Sequence, residues 1–473
     1  YLVNIILLDY CKETCEKIYV GKKANQHTLP QDEINKLLIE KAVDAKIVVR
    51  LKGGDPFIFG RGGEEALALM QHAIAFEIIP GITAGVGAAA YAGIPVTQRD
   101  FTTTVTFITG HEHPEKEVSD MNWSALAQLN GTMVFYMGVK NLPHIVNNLM
   151  DNGCAKDTPI ALIQQGTYNK QKTVTGTLET IVRVVEETGI KPPAIIVVGK
   201  VVALREQLQW FDNRPLYGKR IVVTRSRTQA SSLTKQLRNL GAEVVELPTI
   251  HITPVEDFTE LHDAIHHIKN YNWIIFTSTN SVDIFFKQLF ALKKDVRHLH
   301  GVKIAVIGGE TAKQVNAYGI TPDVMPTQFT SEGTIESLKQ LQSSYKDVSF
   351  LIPGSNIARD YIPVELQKMG ASVRSISIYN NNLPDYSSDF ISDIFATPVD
   401  LVTFTSSSTV LNFIEILQQS QRMDLIGCIV GASIGPVTSA TANEHNVAIV
   451  CESAPHTIDA LVQTILQFFN KNI

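Results

Sequence analysis

The chain has 473 residues, 44% of them hydrophobic and 19% charged, which is the composition of a folded globular protein and excludes a disordered or fibrous one. This length exceeds one ordinary core and predicts several compact lobes. A formal net charge of −6 argues against nucleic acid or an anionic membrane as the main partner, and no apolar run reaches the ~18 residues of a membrane span.

Cysteine usage and the first residues indicate the cellular setting. Five cysteines are few and odd in number, which favours a reducing cytoplasm over a disulfide framework. Cys11 and Cys15 have no second pair that would complete a zinc site, so we expect no metal. The opening YLVNIILLDY lacks the basic segment and cleavage site of a signal peptide, and without an initiator Met we expect a start within a longer protein.

Strand and helix patterns alternate along the first hundred residues, which predicts a parallel sheet with helices on both faces. Strands are expected at 17–20, 47–51, 76–80, 102–109, 132–137, 160–164 and 194–198. Apolar residues at helical spacing predict an amphipathic helix at 31–41. The polar segment 204–220 is interpreted as an interdomain linker, and we expect limited proteolysis to cut there first.

The stretch LKGGDPFIFGRGGEE, residues 51–65, follows one of these strands and precedes an Ala/Leu-rich helix. Gly53 and Gly54 let the backbone approach a ligand closely, and the Asp55-Pro56 pair fixes the turn because proline locks its φ. Five glycines within eleven residues exceed the need of a connecting turn. The string is therefore interpreted as a ligand-binding loop.

Two other motifs have simpler explanations. Gly85, Gly87 and Ala90 satisfy the G-x-G-x-x-A dinucleotide pattern, but the first glycine does not stand at a strand end, so close helix packing explains them better. A nicotinamide oxidoreductase stays a distant alternative. His111 and His113 flank an acidic residue without a third ligand, as loop histidines do.

The second half of the chain contains an internal repeat. A strand at 273–276 leads into TSTNSVDIFF, and a strand at 401–404 leads into TSSSTVLNFI. About thirty residues later each is followed by a strand, a glycine turn and a helix, in IAVIGGETAKQV and IVGASIGPVTSATA. We expect two similar α/β lobes that face each other.

The glycine loop, together with PGITAGVGAAAYAGIPVTQRD at 80–100, resembles the uroporphyrinogen-III C-methyltransferases of the tetrapyrrole methylase family. From Gly218 onward the chain resembles the uroporphyrinogen-III synthases. The resemblance implies a two-lobed methylase fold followed by a two-lobed α/β synthase fold. The implied bounds are 1–213 for the methylase (lobes about 1–99 and 100–213) and 214–473 for the synthase (lobes about 217–253 plus 380–473, and 254–379).

The methylase resemblance implies S-adenosylmethionine as methyl donor. The residues implied to contact it are Gly53, Gly54, Asp55, Ile58, Thr83, Ala84, Met137 and Gly166. Lys22 matches the family's proposed proton donor, and Arg61 and Arg99 are candidates for substrate carboxylates. Core packing of Met137 and a solvated surface role for Arg61 stay open as alternatives. The family's first strand, its G-x-G-P-G-D loop and an acidic base would precede Tyr1, so we expect poor methylation by the sequence as it stands.

The synthase resemblance implies closure of hydroxymethylbilane with inversion of its last ring, in which the substrate expels its own hydroxyl. Helix N-termini in the repeated turns offer N–H groups to substrate carboxylates. The residues expected there are Thr277, Ser278, Asn280, Thr405, Ser406, Ser407 and Ser408, which also suit helix capping. Arg225, Arg227 and Thr438 are further candidate substrate contacts. Tyr379 is the candidate acid for hydroxyl loss, with an interlobe aromatic role as the alternative.

These expectations combine into a bifunctional cytoplasmic enzyme that makes uroporphyrinogen III and methylates it to precorrin-2, on the branch to sirohaem and cobalamin. Its partners would be small tetrapyrroles, with no metal, nucleic acid or membrane, and it would form a homodimer through the methylase domain. The main alternative is a synthase that carries an incomplete methylase domain used for dimerisation.

Overall fold

The computed structural model describes residues 3–12, 14–21, 29–44, 47–110, 121–225, 227–356 and 360–471. The chain divides into two compact units, residues 1–219 with 238–243 and residues 220–237 with 244–473. Helices and five-stranded sheets occur in both units, which confirms the predicted α/β class. The domain boundary after residue 213 and the lobe bounds remain predictions. Within the described ranges, no helix is long and apolar enough to cross a membrane.

The described residues of the first unit form one sheet with the strand order β1-β2-β5-β3-β4. Its elements are α1 Gln31–Asp44, α2 Gly62–Gln71, α3 Ala84–Tyr91, β1 Val105–Thr109, α4 Trp123–Gln128, β2 Thr132–Tyr136, α5 Leu142–Asp151, β3 Pro159–Gln164, β4 Lys172–Thr177, α6 Ile181–Thr188, β5 Ala194–Val198 and α7 Arg205–Leu208. Because side chains alternate across a strand, neighbouring residues of β2 face different cores. Phe135 packs with α5, whereas Val134 packs with Ala88 and Ala89 of α3. The sheet thereby fixes the position of α3.

Three strands predicted in the first hundred residues, 17–20, 47–51 and 76–80, have no strand pairing in the structure. Ile47 and Val49 are 82% and 76% exposed. β-Branched residues favour extended backbone, but a strand also needs a neighbour for its N–H and C=O groups. No described residue supplies that neighbour, so the prediction of a sheet in this lobe is wrong for the structure.

The segment 204–220, predicted as a polar linker, is packed onto the first unit. It contains α7, and its Phe211 and Leu216 are 2% and 0% exposed. Arg205 and Asp212 form an ion pair within it. The segment ends where the two units divide, and apolar burial together with this ion pair gives it ordered structure despite its polar composition.

Where the structure describes the second unit, its strands form two sheets, with the orders β10-β9-β11-β12-β8 and β15-β14-β13-β6-β7. Its elements are β6 Arg220–Val223, α8 Arg227–Asn239, β7 Glu243–Glu246, β8 His251–Pro254, α9 Thr259–His266, β9 Trp273–Phe276, α10 Thr279–Ala291, β10 Lys303–Val306, α11 Gly309–Ala317, α12 Ser331–Leu341, β11 Ser349–Ser355, α13 Tyr361–Lys368, β12 Ser372–Asn382, α14 Ser388–Phe395, β13 Leu401–Phe404, α15 Ser407–Gln419, β14 Val430–Ser433, α16 Pro436–Glu444, β15 Ala448–Glu452 and α17 Ile458–Lys471.

The internal repeat predicted from the sequence is confirmed in these elements. β9 and β13 each have four residues and lead, after a two-residue turn, into the 13-residue helices α10 and α15. β10 and β14 each have four residues and lead into the nine-residue helices α11 and α16. In both copies the two strands pair in parallel. The N-termini of all four helices therefore follow the carboxyl ends of parallel strands.

Candidate active sites

The glycine loop of the first unit is held against the segment before α3 by Asp55. Its carboxylate accepts hydrogen bonds from the backbone N–H groups of Phe57 (2.8 Å) and Gly81 (3.0 Å). These N–H groups, that of Gly81 first, hold the pKa of Asp55 below its usual range. Gly54 has a φ of 76°, and a Cβ on Gly81 would lie 2.2 Å from the Gly54 carbonyl oxygen. Glycine at both positions lets the two segments approach this closely.

The start of α3 is capped by a tyrosine from β2 rather than by its own N-cap side chain. Thr83, the N-cap residue, makes no side-chain cap bond, and its hydroxyl lies 2.7 Å from the Tyr136 hydroxyl. The Tyr136 oxygen instead accepts the N–H of Gly85 at 2.8 Å. Since a Cβ on Gly85 would lie 2.4 Å from that oxygen, the packing explanation of the G-x-G-x-x-A pattern fits the structure at this glycine.

The other residues implied to bind the cofactor also lie around α3. Ile58 packs against the cluster that contains Ala88, and a Cβ on Gly166 would lie 2.4 Å from the Ala88 Cβ. Ala84 is exposed at the first position of the helix. Met137 is 55% exposed at a φ of 57°, so the alternative explanation of core packing does not hold for it. The structure thus brings four separate chain segments together at one short helix.

Backbone strain is concentrated at the same place. The left-handed non-glycine residues in the described part of the first unit are Phe59, Arg61, Ala73, Asp100, Asn130, Met137, Gln165 and Thr167. Five of these eight lie in the glycine loop, at Met137 or beside Gly166. Such residues cost free energy in the native state and are found preferentially where a ligand must be held.

The residues suggested for substrate binding and proton transfer are less closely grouped. Arg61 pairs with Glu64 through two hydrogen bonds of 2.8 and 2.6 Å and is about half exposed. The Glu64 carboxylate raises the pKa of Arg61. Arg99 is exposed. Lys22 and the histidine pair at 111 and 113 lie outside the described residues.

In the second unit the structure brings Tyr379 to the start of α10. The Tyr379 hydroxyl lies 2.9 Å from the Ser278 hydroxyl, and Ser278 caps the helix by accepting the Ser281 N–H at 3.0 Å. Thr277 and Asn280 flank this cap and are half-buried. Tyr379 is 5% exposed and belongs to the core that α10 covers. One predicted catalytic residue and three predicted substrate residues therefore share one helix N-terminus.

The repeated turn before α15 is built similarly but has no tyrosine contact of this kind among the described residues. Ser406 caps α15 in a capping box with Thr409 and lies 2.9 Å from the Ser408 hydroxyl. The Ser407 hydroxyl accepts a hydrogen bond of 2.9 Å from Thr441 of α16. Thr405 is half-buried in the turn.

The three remaining synthase candidates differ in their surroundings. Arg225 is half-buried after β6, and this burial lowers the pKa of its guanidinium, an effect that Glu310 of α11 opposes. Arg227 begins α8, and its side chain lies outside the described part of the chain. Thr438 is 4% exposed within α16.

Glu65 and Gln171 are buried polar residues of the first unit that, like Tyr136, no sequence motif indicated. Glu65 of α2 is 5% exposed and accepts hydrogen bonds from Lys52 (2.9 Å), Arg50 (3.2 Å) and Gln31 (3.1 Å). Gln171 is also 5% exposed and bonded. Lys52 and Glu65 stand at the two ends of the glycine loop, and their opposite charges were the one sequence signal for this ion pair. Gln171 has no neighbouring motif that would have indicated its contacts.

No described group of three His, Cys, Asp or Glu residues is arranged to hold a metal.

Two family models match the chain. The model described as Tetrapyrrole (Corrin/Porphyrin) Methylases matches residues 2–182, and the model described as Uroporphyrinogen-III synthase HemD matches residues 231–463. The porphyrin biosynthesis protein HemD of Ruminiclostridium josui is 37% identical over 474 residues, which cover 100% of this chain and 92% of that protein. The uroporphyrinogen-III C-methyltransferase of Priestia megaterium is 54% identical over 201 residues, 42% of this chain and 84% of that protein.

A solved structure also aligns with part of the chain. The uroporphyrin-III C-methyltransferase of Thermus thermophilus, complexed with S-adenosylhomocysteine, is 32% identical and aligns over 40% of this chain and 80% of its own, with a TM-score of 0.34. Together the two family models and the relative that matches this chain from end to end show that the chain belongs to the family of tetrapyrrole methylases fused to uroporphyrinogen-III synthases.

Proposed function

We propose that the second unit closes hydroxymethylbilane to uroporphyrinogen III with inversion of the last ring, and that the first unit methylates this product to precorrin-2. S-adenosylmethionine is the proposed methyl donor. The observation that carries the methylase part is the meeting of the glycine loop, the Thr83-Ala84 pair and Gly166 at α3, with Met137 directly after the Tyr136 that caps this helix. The proposed setting is cytoplasmic, and the proposed assembly is a homodimer through the methylase domain.

The residues around α3 suit a small, largely polar cofactor. Side chains on Gly54 and Gly81 would fill the space between the glycine loop and the helix, so these glycines leave backbone groups accessible. Asp55 fixes the separation of the two segments, and Tyr136 fixes the first turn of α3. When bound there, S-adenosylmethionine would supply the methyl group, and transfer of a methyl group requires mainly close positioning of donor and acceptor.

The acceptor would enter from the side of Arg61. Because Arg61 is half-exposed and already paired with Glu64, a substrate carboxylate would bind it by exchanging with that partner. The Glu64 pair orients the guanidinium before substrate arrives. Arg99 is exposed and would add a second positive charge.

For the synthase part, the support is the pairing of Ser278 with Tyr379 at the N-terminus of α10. Free N–H groups at a helix N-terminus stabilise carboxylates, and the proposed substrate hydroxymethylbilane has several carboxylates. The Tyr379 hydroxyl is the proposed proton donor to the departing hydroxyl, oriented by Ser278. Ser406, Ser407 and Ser408 would bind further carboxylates at α15.

The test combines one binding and one product measurement on the same protein. Titration with S-adenosylhomocysteine should show saturable binding that is lost in Gly81→Ala, whose Cβ would collide with the Gly54 carbonyl. Incubation with hydroxymethylbilane should give the III isomer in parent and Gly81→Ala alike. Absence of binding to the parent would contradict the methylase part, and formation of the I isomer alone would contradict the synthase part.

A second candidate function is a synthase whose methylase domain serves only in dimerisation. The observation that favours it is the absence of strand pairing at 47–51 and 76–80 within the described residues, which leaves Ile47, Val49 and Ile79 exposed. A dimer that binds no S-adenosylhomocysteine would support this candidate.

A further inference from the structure

Gln171 is a buried amide that joins elements far apart in the sequence. It precedes β4, and its side chain is 5% exposed. Its Oε1 accepts the backbone N–H of Thr167 at 2.9 Å. Its Nε2 donates to the carbonyl oxygen of Tyr91 at 3.3 Å and to Oδ1 of Asp212 at 3.2 Å. All three polar contacts of the amide are thus to groups within the first unit.

These contacts hold the Gly166 turn and α3, two parts of the proposed cofactor site, at a fixed separation. Thr167 and Gln165 are left-handed non-glycine residues on either side of Gly166, and such a turn is unfavourable without support. The Gln171 oxygen supplies that support at Thr167. Tyr91 ends α3, the helix whose first turn carries Thr83 and Ala84. Gln171 therefore connects the Gly166 turn with the far end of α3.

Asp212 and Arg205 extend the same connection. Asp212 accepts from Gln171 through one oxygen and pairs with Arg205 through the other. Arg205 also donates to the carbonyl oxygen of Ala92, the residue that follows α3. The side chains of Arg205 and Asp212 are 13% and 17% exposed, so water competes little for these contacts. The end of α3 is held twice, through Tyr91 and through Ala92.

We propose that Gln171, supported by Asp212, is a positioning residue for the binding of S-adenosylmethionine. It acts through the Gly166 turn and α3 and touches neither cofactor nor substrate. The proposal rests on the proposed methylase function, and it adds a residue to the site that the glycine motifs do not include.

The test uses the whole protein and four variants, one of them a control. In Gln171→Ala, the KM for S-adenosylmethionine and the Kd for S-adenosylhomocysteine should rise about 10-fold to 100-fold, the effect of leaving buried donors and acceptors unpaired. The kcat should change little, because no reacting group is removed. Gln207→Glu, the control, places a carboxylate at an exposed position of α7 and should leave both constants unchanged.

Reversing the direction of the hydrogen bond between Gln171 and Asp212 distinguishes a positioning role of Gln171 from a general effect on protein stability. Gln171→Glu should weaken cofactor binding, because the new carboxylate faces Asp212 and cannot donate to Tyr91. Adding Asp212→Asn supplies an amide that donates to the new carboxylate and should restore part of the affinity. A fall in kcat at unchanged KM in Gln171→Ala, or no recovery in the double variant, would overturn the proposal. Failure of the parent to bind S-adenosylhomocysteine would overturn the cofactor site and the proposal with it.

Discussion

The hydroxyl of Tyr136 gives the sharpest prediction for the first unit. Tyr136→Phe removes one oxygen and keeps the ring, which packs 4.9 Å from the Phe59 ring between centroids. The loss leaves the N–H of Gly85 and the hydroxyl of Thr83 without the partner they have in the structure. Thr83 and Tyr136 are 6% and 7% exposed, so water replaces that partner poorly. A buried polar group left unpaired costs ~1–3 kcal/mol.

We expect this cost to appear in cofactor binding, because the first turn of α3 is the proposed wall of the site. A cost of ~1–3 kcal/mol corresponds to a Kd for S-adenosylhomocysteine raised about 5-fold to 150-fold, measured by calorimetric titration. The matched control is Tyr318→Phe in the second unit, which loses a hydrogen bond of 3.0 Å to Asp283. Tyr136→Phe with a parental Kd, alongside a lowered melting temperature, would show that the capped turn stabilises the fold and does not bind the cofactor.

Three further predictions concern other parts of the chain. Tyr379→Phe should slow closure of hydroxymethylbilane ~10²-fold or more, the usual loss for a general acid, and Ser278→Ala should slow it less; an unchanged rate in both variants would remove the proposed proton donor. Because two N–H groups lower the pKa of Asp55 below 3.8, its stabilising contribution is present above that pH and lost as the pH falls through the lower folded-state value. Acid unfolding of the first unit, followed by circular dichroism, should therefore be steeper in the parent than in Asp55→Asn. Limited proteolysis should spare 204–220, since Phe211 and Leu216 are buried, and an early cut there would contradict the observed packing.

The part of the fold that the sequence predicted best is the one with repeated local patterns. The strands at 273–276 and 401–404 and the serine-capped helices after them have their signals within a few residues, as apolar runs followed by capping residues. Residues 47–51 have a similar apolar pattern but form no strand, because strand pairing depends on a neighbour that lies elsewhere in the chain. Local patterns therefore predict backbone tendency, and the pairing must come from the rest of the chain.

The candidate sites show the same division. The glycine loop was visible in the sequence because several glycines cluster in one turn. Tyr136 and Gln171 were not, because each is a single polar residue whose partners lie far along the chain: Tyr136 contacts Thr83, 53 residues away, and Gln171 contacts Asp212, 41 residues away. Such contacts depend on the packing of α3 against the sheet, which no short motif encodes.

One chain is proposed to make uroporphyrinogen III and to methylate it. The most direct test is a single incubation of the protein with hydroxymethylbilane and S-adenosylmethionine carrying a labelled methyl group, sampled over time by liquid chromatography and mass spectrometry. We predict that uroporphyrinogen III appears first and that labelled methyl groups are then transferred to it to give precorrin-2. Uroporphyrinogen I alone, or uroporphyrinogen III that never acquires label, would contradict the claim.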